Sequence, residues 1–427
     1  MRAHINGERE TRRGVAVIAD DLTGALDAAA PFSAHGFTTQ VIPSSAIDAR
    51  SGCGADVRIL CSDTRDLSPF AAVDKRDRCI DLVLETPAMR LGLKIDSLLR
   101  GSIASDIRAV VSRLEQPGPV FLAPALPEQG RITRGSRVVV DGVDLDDTES
   151  YVRFAAPTVR ALAEQTGFAV RVVGLDELRS GGFGSEVVGA PHPRPVIYVF
   201  DAETDADLRR IVEIGVASSV ALWVGSAGLF RQLALELSPQ LEAGEDDESA
   251  PALPALTTRR DPRILVVSGS ASARSSAQLE ALVADGAVAC YAEEPSDVSR
   301  LIRELRAALA TGAVAAIGVQ RPVDDTLPLD PKHARVIAAV VAELRGYVDG
   351  IVVVGGETSR QSFKQLGVLT LHVTASLDGG MAAGLAEPGL NAPQAAFPFV
   401  SKAGSFGDDE ALIRAVIHLQ RQLEGAQ

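Results

Sequence analysis

Four polar residues follow an apolar run near residue 95, and together they could bind a small anion. The segment reads LGLKIDSLLRGS over residues 91–102 and contains Lys94, Asp96, Ser97 and Arg100. Lysine and arginine bind carboxylates through charge-assisted hydrogen bonds, while aspartate and serine can bind hydroxyl groups. A structural ion pair between Lys94 and Asp96, which share one face of a strand, would explain two of the four. A site for a small polyhydroxy anion explains all four.

Two other segments of the N-terminal half carry candidate residues. In IADDLTGALDAAA (18–30), Asp20 and Asp21 close an apolar strand just before a helix. Ligands of open α/β sheets bind beyond the carboxyl ends of strands, so a catalytic carboxylate is expected here. The alternative is that Asp21 only caps the helix. In CSDTRDLSP (61–69), Arg65 could clamp a carboxylate or phosphate, or it could be an ordinary surface arginine.

Three glycine-containing turns in the C-terminal half could bind phosphate. They lie in LVVSGSAS (265–272), IVVVGGETS (351–359) and SKAGSFGDDEAL (401–412), each between a strand and a helix. Glycines let backbone N–H groups approach phosphate oxygens, and a helix N-terminus favours the anion. Each turn alone could be a plain strand-to-helix turn, but three together favour nucleotide phosphate binding. Lys402 could reach the phosphates or be a surface lysine.

The elements that position these residues follow an α/β pattern. Short β-branched runs alternate with helical patterns, which predicts strand–helix units on largely parallel sheets. A segment rich in Pro, Ala and acidic residues at 237–263 interrupts the alternation, which then resumes. We therefore predict two lobes, each a largely parallel sheet flanked by helices, with a ligand cleft between them. The predicted domains are 1–240 and 263–427, joined by a linker at 241–262, and RVVVDG (137–142) predicts a local hairpin.

Composition and charge exclude several classes of function. The net charge of −14 argues against a nucleic-acid partner, which would require a basic surface. The four cysteines show no CxxC pair, and the six histidines form no metal-binding motif. No GxxxxGK[ST] or GxGxxG motif occurs, so a Walker P-loop is excluded and a dinucleotide site is disfavoured. With no apolar run of membrane-spanning length and a polar N-terminus, we expect a cytoplasmic protein without a membrane partner.

Eight segments, in this order, resemble the four-carbon acid sugar kinase family: ADDLTGALDAA, KIDSLLRGS, APALPEQGR, DAETDADL, VGSAGL, SGSAS, VVVGGETS and KAGSFG. Members of that family phosphorylate threonate, erythronate or 3-oxo-tetronate with ATP. They have an N-terminal sugar-acid domain and a C-terminal nucleotide domain. The resemblance implies substrate contacts at Asp20, Arg65 and 94–97. It implies ATP contacts near Ser270, at 355–358 and at Gly404.

The candidate site therefore has two parts. The predicted substrate-binding residues are Asp20, Asp21, Arg65, Lys94, Ile95, Asp96 and Ser97. The predicted ATP-binding residues are Ser268, Ser270, Gly355, Gly356, Glu357, Thr358, Lys402 and Gly404. The chain departs from the family at Leu98, where a threonine is usual, at Ser102, where an asparagine is usual, and at 376–391. The first two changes bear on which acid binds, and the third bears on the nucleotide pocket.

These observations predict a kinase that transfers the γ-phosphoryl group of ATP to the terminal hydroxyl of a four-carbon sugar acid. Arg65, Lys94 and Arg100 would neutralise charge, and an aspartate would accept the hydroxyl proton, with Asp20 favoured over Asp96. We expect Mg²⁺ to arrive bound to ATP. The alternatives are an NAD-dependent oxidoreductase acting on a similar acid and a non-catalytic sensor of sugar acid and ATP. Whether the protein is a homodimer is left open.

Overall fold

The computed structural model describes residues 14–47, 54–68, 70–85, 90–116, 118–145, 158–187, 194–238, 256, 260–270, 272–294, 297–312, 314–319, 331–378, 380–389 and 395–425. Its strands are β1 Val15–Ala19, β2 Thr39–Ile42, β3 Val57–Cys61, β4 Arg90–Lys94, β5 Pro119–Ala123, β6 Arg131–Arg134, β7 Arg137–Val140, β8 Val143–Asp144, β9 Ala169–Val173, β10 Val196–Phe200, β11 Leu222–Gly225, β12 Ile264–Ser268, β13 Val288–Ala292, β14 Ala315–Val319, β15 Gly350–Val354, β16 Val368–Leu377, β17 Met381–Pro388 and β18 Phe397–Lys402.

The helices alternate with these strands through most of the chain. They are α1 Leu22–Ala34, α2 Val73–Leu84, α3 Ile103–Val111, α4 Val159–Glu164, α5 Leu175–Ser180, α6 Gly184–Val187, α7 Asp205–Ala217, α8 Ala227–Leu237, α9 Ala273–Ala284, α10 Val298–Ala310, α11 Pro331–Leu344, α12 Gly356–Gln365 and α13 Ala411–Glu424. Short 3-10 turns lie at Ser44–Ala46 and Pro127–Gln129. Among the described residues, no helix is both long and apolar enough to span a membrane.

The chain forms two compact units, and the division between them is not linear. The N-terminal unit consists of Met1–Phe37 and Ala55–Glu248, and the C-terminal unit consists of Thr38–Gly54 and Ser249–Gln427. The segment that carries β2 is thus an excursion into the C-terminal unit. The predicted linker at 241–262 lies almost entirely outside the described residues, and the predicted domain boundaries stay a prediction.

The N-terminal unit is built on a parallel sheet with the strand order β3-β1-β4-β11-β5-β10-β9. All five residues of β1 and of β5 are buried, as expected for central strands of a parallel sheet covered on both faces. A separate antiparallel sheet of β6, β7 and β8 confirms the hairpin predicted at 137–142. The predicted α/β fold of this half is confirmed.

The C-terminal unit is built on a mixed sheet with the order β13-β14-β12-β15-β18-β17-β16-β2. The first five strands in this order, β13, β14, β12, β15 and β18, are parallel to one another. Strands β17, β16 and β2 continue the sheet in antiparallel pairs. The divergent segment at 376–391 contributes the end of β16 and all of β17. Three cysteines are buried and free, namely Cys61, Cys79 and Cys290.

Candidate active site

The N-terminal unit brings the predicted sugar-acid residues to one edge of its sheet. Strand β1 lies between β3 and β4, so the order of the strands reverses at β1. Ligands of open α/β sheets bind at such a reversal, beyond the carboxyl ends of the strands. Asp20 and Asp21 follow β1, Arg65 follows β3, and Lys94 ends β4. The parallel pairing of three strands thus places these four side chains at one sheet edge.

Arg65 joins the turns that follow β1 and β3. Its Nε donates to Oδ2 of Asp20 at 2.9 Å and its Nη2 donates to Oδ1 at 2.6 Å, a bidentate arrangement. The same Nη2 lies 2.7 Å from Oδ1 of Asp21. The side chain of Arg65 is only 13% exposed, so the interpretation as a surface arginine is wrong. One guanidinium therefore compensates two carboxylates at the end of β1.

Asp21 also caps helix α1. Its backbone is extended, and Oδ1 accepts a hydrogen bond from the N–H of Gly24 at 2.8 Å. This is the usual way in which an aspartate satisfies a free donor in the first helical turn. Asp21 does cap the helix, but capping is not all that it does, because the ion pair with Arg65 gives the same carboxylate a second partner.

In the KIDSLLRGS segment, Asp96 pairs with Arg100 and not with Lys94, the partner that the structural alternative predicted. Asp96 accepts hydrogen bonds from Arg100, with Nε at 2.5 Å from Oδ2 and Nη2 at 3.0 Å from Oδ1. Lys94 is buried, and its ammonium donates to the carbonyl of Ile95 at 3.0 Å. Among the described residues no ion pair joins Lys94 to Asp96, so that alternative is wrong. Lys94 is left as a buried cation with one neutral partner.

The turn after Asp96 is tightly constrained. Leu99 has a φ of 59°, a left-handed conformation that is uncommon for a residue other than glycine. The N–H of Leu99 donates to the carbonyl of Asp96 at 3.0 Å. Ser97 is buried, and its hydroxyl accepts a hydrogen bond from Nη1 of Arg131 at 2.7 Å. Arg131 thus adds a cation to this edge that the sequence did not single out.

Burial and neighbouring cations shift the acidities of Asp20 and Asp96 in opposite directions. Burial raises the pKa of Asp20, and the charge and hydrogen bonds of Arg65 offset this effect only in part. Burial alone would also raise the pKa of Asp96, but hydrogen bonds and charge from Arg100, with further charge from Arg65 and Lys94, hold it well below its usual range. Asp96 is therefore a stable carboxylate and a poor proton acceptor.

A small cavity in this unit connects Asp20 to a second buried carboxyl group. Five of its lining residues are polar or charged, namely Asp20, Ser62, Arg76, Lys94 and Asp106, and the others are apolar. Within the described part of the chain, Oδ1 of Asp106 has no hydrogen-bond donor, and Nη1 of Arg76 is 3.9 Å away. Burial raises the pKa of Asp106 to about 7, against the opposing charge of Arg76.

The three glycine-containing turns meet in the C-terminal unit. They follow β12, β15 and β18, which are adjacent and parallel, so the turns lie at the same edge of the sheet. Each turn leads to a helix, α9, α12 or α13. The predicted ATP-binding residues are therefore neighbours in the structure, arranged as an anion site on backbone amides would require.

The glycines of these turns are required for the turns to pack against each other. A Cβ on Gly269 would lie 2.0 Å from Oγ1 of Thr358, and a Cβ on Gly404 would lie 2.3 Å from Oγ of Ser270. Gly355 has a φ of 97°, which side chains rarely tolerate. The sequence analysis singled out Ser268 and Ser270 of the SGS motif. It did not indicate that Gly269, between them, must lack a side chain for the turn to pack against Thr358.

Lys402 organises the third turn from the inside. It is fully buried, and its ammonium donates to the carbonyls of Ala403 at 2.7 Å, Phe406 at 2.9 Å and Gly404 at 3.4 Å. Hydroxyl groups of Ser272 and Ser275 donate to the same carbonyl of Gly404 at 2.9 and 2.7 Å. Burial lowers the pKa of Lys402 to about 8. The interpretation as a surface lysine is wrong.

The remaining candidates have local partners. Ser268 ends β12 and is buried, and Ser270 donates to Oγ of Ser272 at 3.2 Å. Helix α12 begins at Gly356. The carboxylate of Glu357 accepts hydrogen bonds from Arg360 at 2.5 and 2.8 Å on its own helix. Among the described residues, no group of three or more His, Cys, Asp or Glu side chains is arranged to hold a metal ion.

Comparison with known proteins identifies both units. The family model for a sugar-binding N-terminal domain matches residues 15–233, and that for a nucleotide-binding C-terminal domain matches residues 265–412. The chain belongs to the four-carbon acid sugar kinase family. The resemblance seen in the eight sequence segments is thereby confirmed.

Relatives named as kinases of four-carbon sugar acids match this chain over 63% to 96% of its length. A D-threonate kinase of Cupriavidus necator is 29% identical over 93% of this chain and 96% of its own length. A 3-oxo-tetronate kinase of Pseudomonas fluorescens is 28% identical over 96% of this chain and 97% of its own length. A D-erythronate kinase of Heliobacterium modesticaldum is 26% identical over 63% of this chain and 60% of its own length.

Solved structures share the fold. A Salmonella typhimurium LT2 protein superposes with a TM-score of 0.75 at 20% identity and covers 95% of this chain and 99% of its own. A Haemophilus influenzae protein superposes with a TM-score of 0.69 at 19% identity and covers 95% of this chain and 100% of its own. At these identities the comparison shows that the fold is shared, and it shows nothing about function.

The turn packing predicts the effect of adding one methyl group. Gly269→Ala should weaken ATP binding by roughly tenfold or more, because overpacking costs about 1–3 kcal/mol and the new Cβ meets Thr358. Sugar-acid affinity should be unchanged. Gly174→Ala is the control, since a Cβ there would meet no atom within 4 Å. Calorimetric dissociation constants for both ligands test this. Unchanged ATP binding in Gly269→Ala would contradict a role of this turn in binding ATP, and an unchanged melting temperature would contradict the assigned packing role.

The raised pKa of Asp106 predicts a pH-dependent gain in stability on substitution. Because folding raises this pKa from 3.8 to about 7, the folded protein favours the protonated carboxyl, and stability falls as the pH rises from about 4 to 7. Asp106→Asn keeps the neutral form at every pH. Its melting temperature should exceed that of the wild type at pH 8, by ~2–4 °C per kcal/mol, and the difference should shrink towards pH 4.

Asp77→Asn provides the control of opposite sign. Burial alone would raise the pKa of Asp77, but hydrogen bonds from Arg76 and Arg113 lower it. The ionised form therefore stabilises the fold above the unfolded pKa, and the variant should melt below the wild type at pH 8. Equal shifts at pH 4 and pH 8 for Asp106→Asn would show that its carboxyl titrates normally.

Proposed function

We propose that this protein is an ATP-dependent kinase that phosphorylates the terminal hydroxyl of a four-carbon sugar acid. The observation that carries the proposal is the buried ammonium of Lys94, which lies with Arg65, Arg100 and Arg131 at the strand reversal of the sugar-binding unit. Lys94 makes no salt bridge among the described residues, and a buried cation that lacks one is costly unless an anion compensates it. The names of the relatives, D-threonate, D-erythronate and 3-oxo-tetronate kinase, supply the class of anion.

The sugar acid is bound, in this proposal, by groups of both signs. Lys94 would bind the substrate carboxylate, with Arg65 and Arg100 as the neighbouring cations. Substrate hydroxyl groups would donate hydrogen bonds to the carboxylates of Asp20, Asp21 and Asp96. The hydroxyl of Ser97 would donate a hydrogen bond to a substrate hydroxyl or accept one from it. The carbonyl of Ile95 already accepts from Lys94, so Ile95 would act by aiming that ammonium.

ATP would bind the three turns of the C-terminal unit. Among the described residues, no acceptor binds the backbone N–H of Gly356 or of Gly404, so both can donate to phosphate oxygens at the edge where helices begin. The oxygen atoms of Ser270, Glu357 and Thr358 are ligands of the kind that Mg²⁺ prefers, and these residues fit a metal that arrives on the phosphates. That metal would supply charge neutralisation of the phosphates.

Catalysis would consist mainly of positioning and charge neutralisation, as in other phosphoryl transfers. The proton acceptor chosen from sequence is Asp20, with Asp96 second. Both oxygens of Asp20 accept hydrogen bonds from Arg65, and those of Asp96 accept from Arg100. Either residue would have to leave its guanidinium partner to act as the base.

The names of the relatives favour the kinase over the oxidoreductase and the sensor. We place the proposed reaction in the cytoplasm, in keeping with the three buried free thiols. The proposed partner is a small sugar acid, and neither nucleic acid nor membrane is proposed.

Direct measurement of ADP tests the proposed reaction. Threonate, erythronate and 3-oxo-tetronate should be offered with Mg²⁺-ATP, and threitol, which lacks the carboxylate, serves as the control acceptor. At least one acid should stimulate ADP release far above threitol and yield a phosphorylated acid by mass spectrometry. Equal ADP release with threitol would contradict the proposal, and a change in nicotinamide absorbance with NAD would favour the oxidoreductase.

Removing the buried ammonium should affect one ligand only. Lys94→Met should weaken the best acid of that screen by about ten- to hundredfold, since a charge-assisted hydrogen bond contributes about 1.5–3 kcal/mol. ATP affinity should not change. Lys75→Met is the matched control, because Lys75 is 46% exposed and pairs with Asp63 at 3.6 Å. A large fall in melting temperature with an unchanged sugar-acid Kd would assign Lys94 a structural role.

A further inference from the structure

One face of helix α1 borders the charged cluster at the end of β1. A Cβ on Gly24 would lie 3.0 Å from Nζ of Lys94 and 3.3 Å from Nη2 of Arg65, so the helix meets both cations where it has no side chain. Asp27 follows Gly24 by three residues, and residues so spaced have Cβ positions about 5–6 Å apart on one helical face. Asp27 is therefore the next side chain along this face from the cations.

Asp27 differs from the other carboxylates of the cluster in having no hydrogen bond or salt bridge to a side chain among the described residues. Asp20 and Asp21 are bonded to Arg65, and Asp96 is bonded to Arg100. Within the part of the chain that the structure describes, no donor bonds to Asp27, and its side chain is partly exposed. A second polar group of this helix face, the buried hydroxyl of Thr23 four residues earlier, also lacks a partner among those residues.

The surroundings of Asp27 favour proton transfer at neutral pH. Burial raises the pKa of this carboxyl to about 6, the charge of Lys94 opposes the rise, and Glu128 and Asp21 add to it. Arg231 on α8 also faces Asp27, but it is bonded to Glu128 through both nitrogens at 2.5 Å. A general base works best when its pKa lies near the working pH and its oxygens are accessible.

We propose that Asp27 is the general base of the phosphoryl transfer, an inference that rests on the proposed kinase function. The O–H bond of the attacking sugar-acid hydroxyl breaks, and its proton moves to a carboxylate oxygen of Asp27. The hydroxyl oxygen forms its bond to the γ-phosphorus while the bond to the bridging oxygen breaks, and that electron pair leaves with ADP. Asp27 then releases the proton to solvent. Asp20 is in this scheme a positioning residue that holds Arg65.

Kinetics of three variants at saturating Mg²⁺-ATP test the role. Asp27→Asn should lower kcat by about 10²–10⁴-fold, with both dissociation constants near wild type, whereas Asp27→Glu should recover part of the rate. Asp20→Asn should mainly weaken the sugar acid through the released Arg65. If Asp27→Asn keeps more than about a tenth of kcat, Asp27 is not the base. A wild type inactive on every acid overturns the proposed function, and this role with it, before any variant is compared.

The pH profile supplies a readout that does not depend on the folding of a variant. The wild-type kcat should fall below about pH 6 as Asp27 becomes protonated. Glu128→Gln removes a negative charge that raises this pKa, so the acid limb should move to lower pH. The limb should disappear from the residual rate of Asp27→Asn. A wild-type kcat that is flat from pH 5 to 8, or a limb that persists in Asp27→Asn, would overturn the assignment.

Discussion

The guanidinium of Arg65, held between the carboxylates of Asp20 and Asp21, is the interaction on which the N-terminal site depends. Buried charges are tolerated only when they are paired and hydrogen-bonded. Arg65 satisfies two of them across the turns that follow β1 and β3, and Arg100 satisfies Asp96 within the turn that follows β4. Among the described residues of the cluster, this pairing leaves Lys94 and Asp27 without a salt bridge. The charged groups that form salt bridges therefore stabilise the fold, and those that form none are the ones available to a ligand.

The C-terminal unit handles charge in the opposite way. Its turns contain glycines and serines, and the buried cation among them, Lys402, points inward at backbone carbonyls. Anion binding there would come from backbone amides and helix N-termini, which carry no net charge. A chain with a net charge of −14 could thus bind the two proposed anionic ligands without a basic surface, because a few cations lie together at the N-terminal site and backbone amides serve the C-terminal one.

Much of this arrangement was predictable from the sequence. Buried strands with polar residues at their carboxyl ends gave Asp20, Arg65, Lys94 and Asp96, because parallel pairing brings such ends together. Specific partners were not predictable, since Asp96 could pair with Lys94 or Arg100 until the left-handed turn at Leu99 was known. Asp27 was not predicted because it lies within a helix and not at the end of a strand, although its spacing of three residues from Gly24 could have indicated it. Gly269 was missed because its neighbour, Thr358, is remote in sequence.

Because residues 38–54 belong to the C-terminal unit, no single cut in the chain separates the two units. The chain leaves the sugar-binding unit after α1, contributes β2 to the edge of the nucleotide-binding sheet, and returns at β3. A C-terminal fragment that begins at β12 would therefore lack β2 and leave β16 as an unprotected edge, prone to association, while the N-terminal fragment would keep β2 without its partner strand. The N-terminal half of the sequence thus carries a strand that completes the sheet of the C-terminal unit.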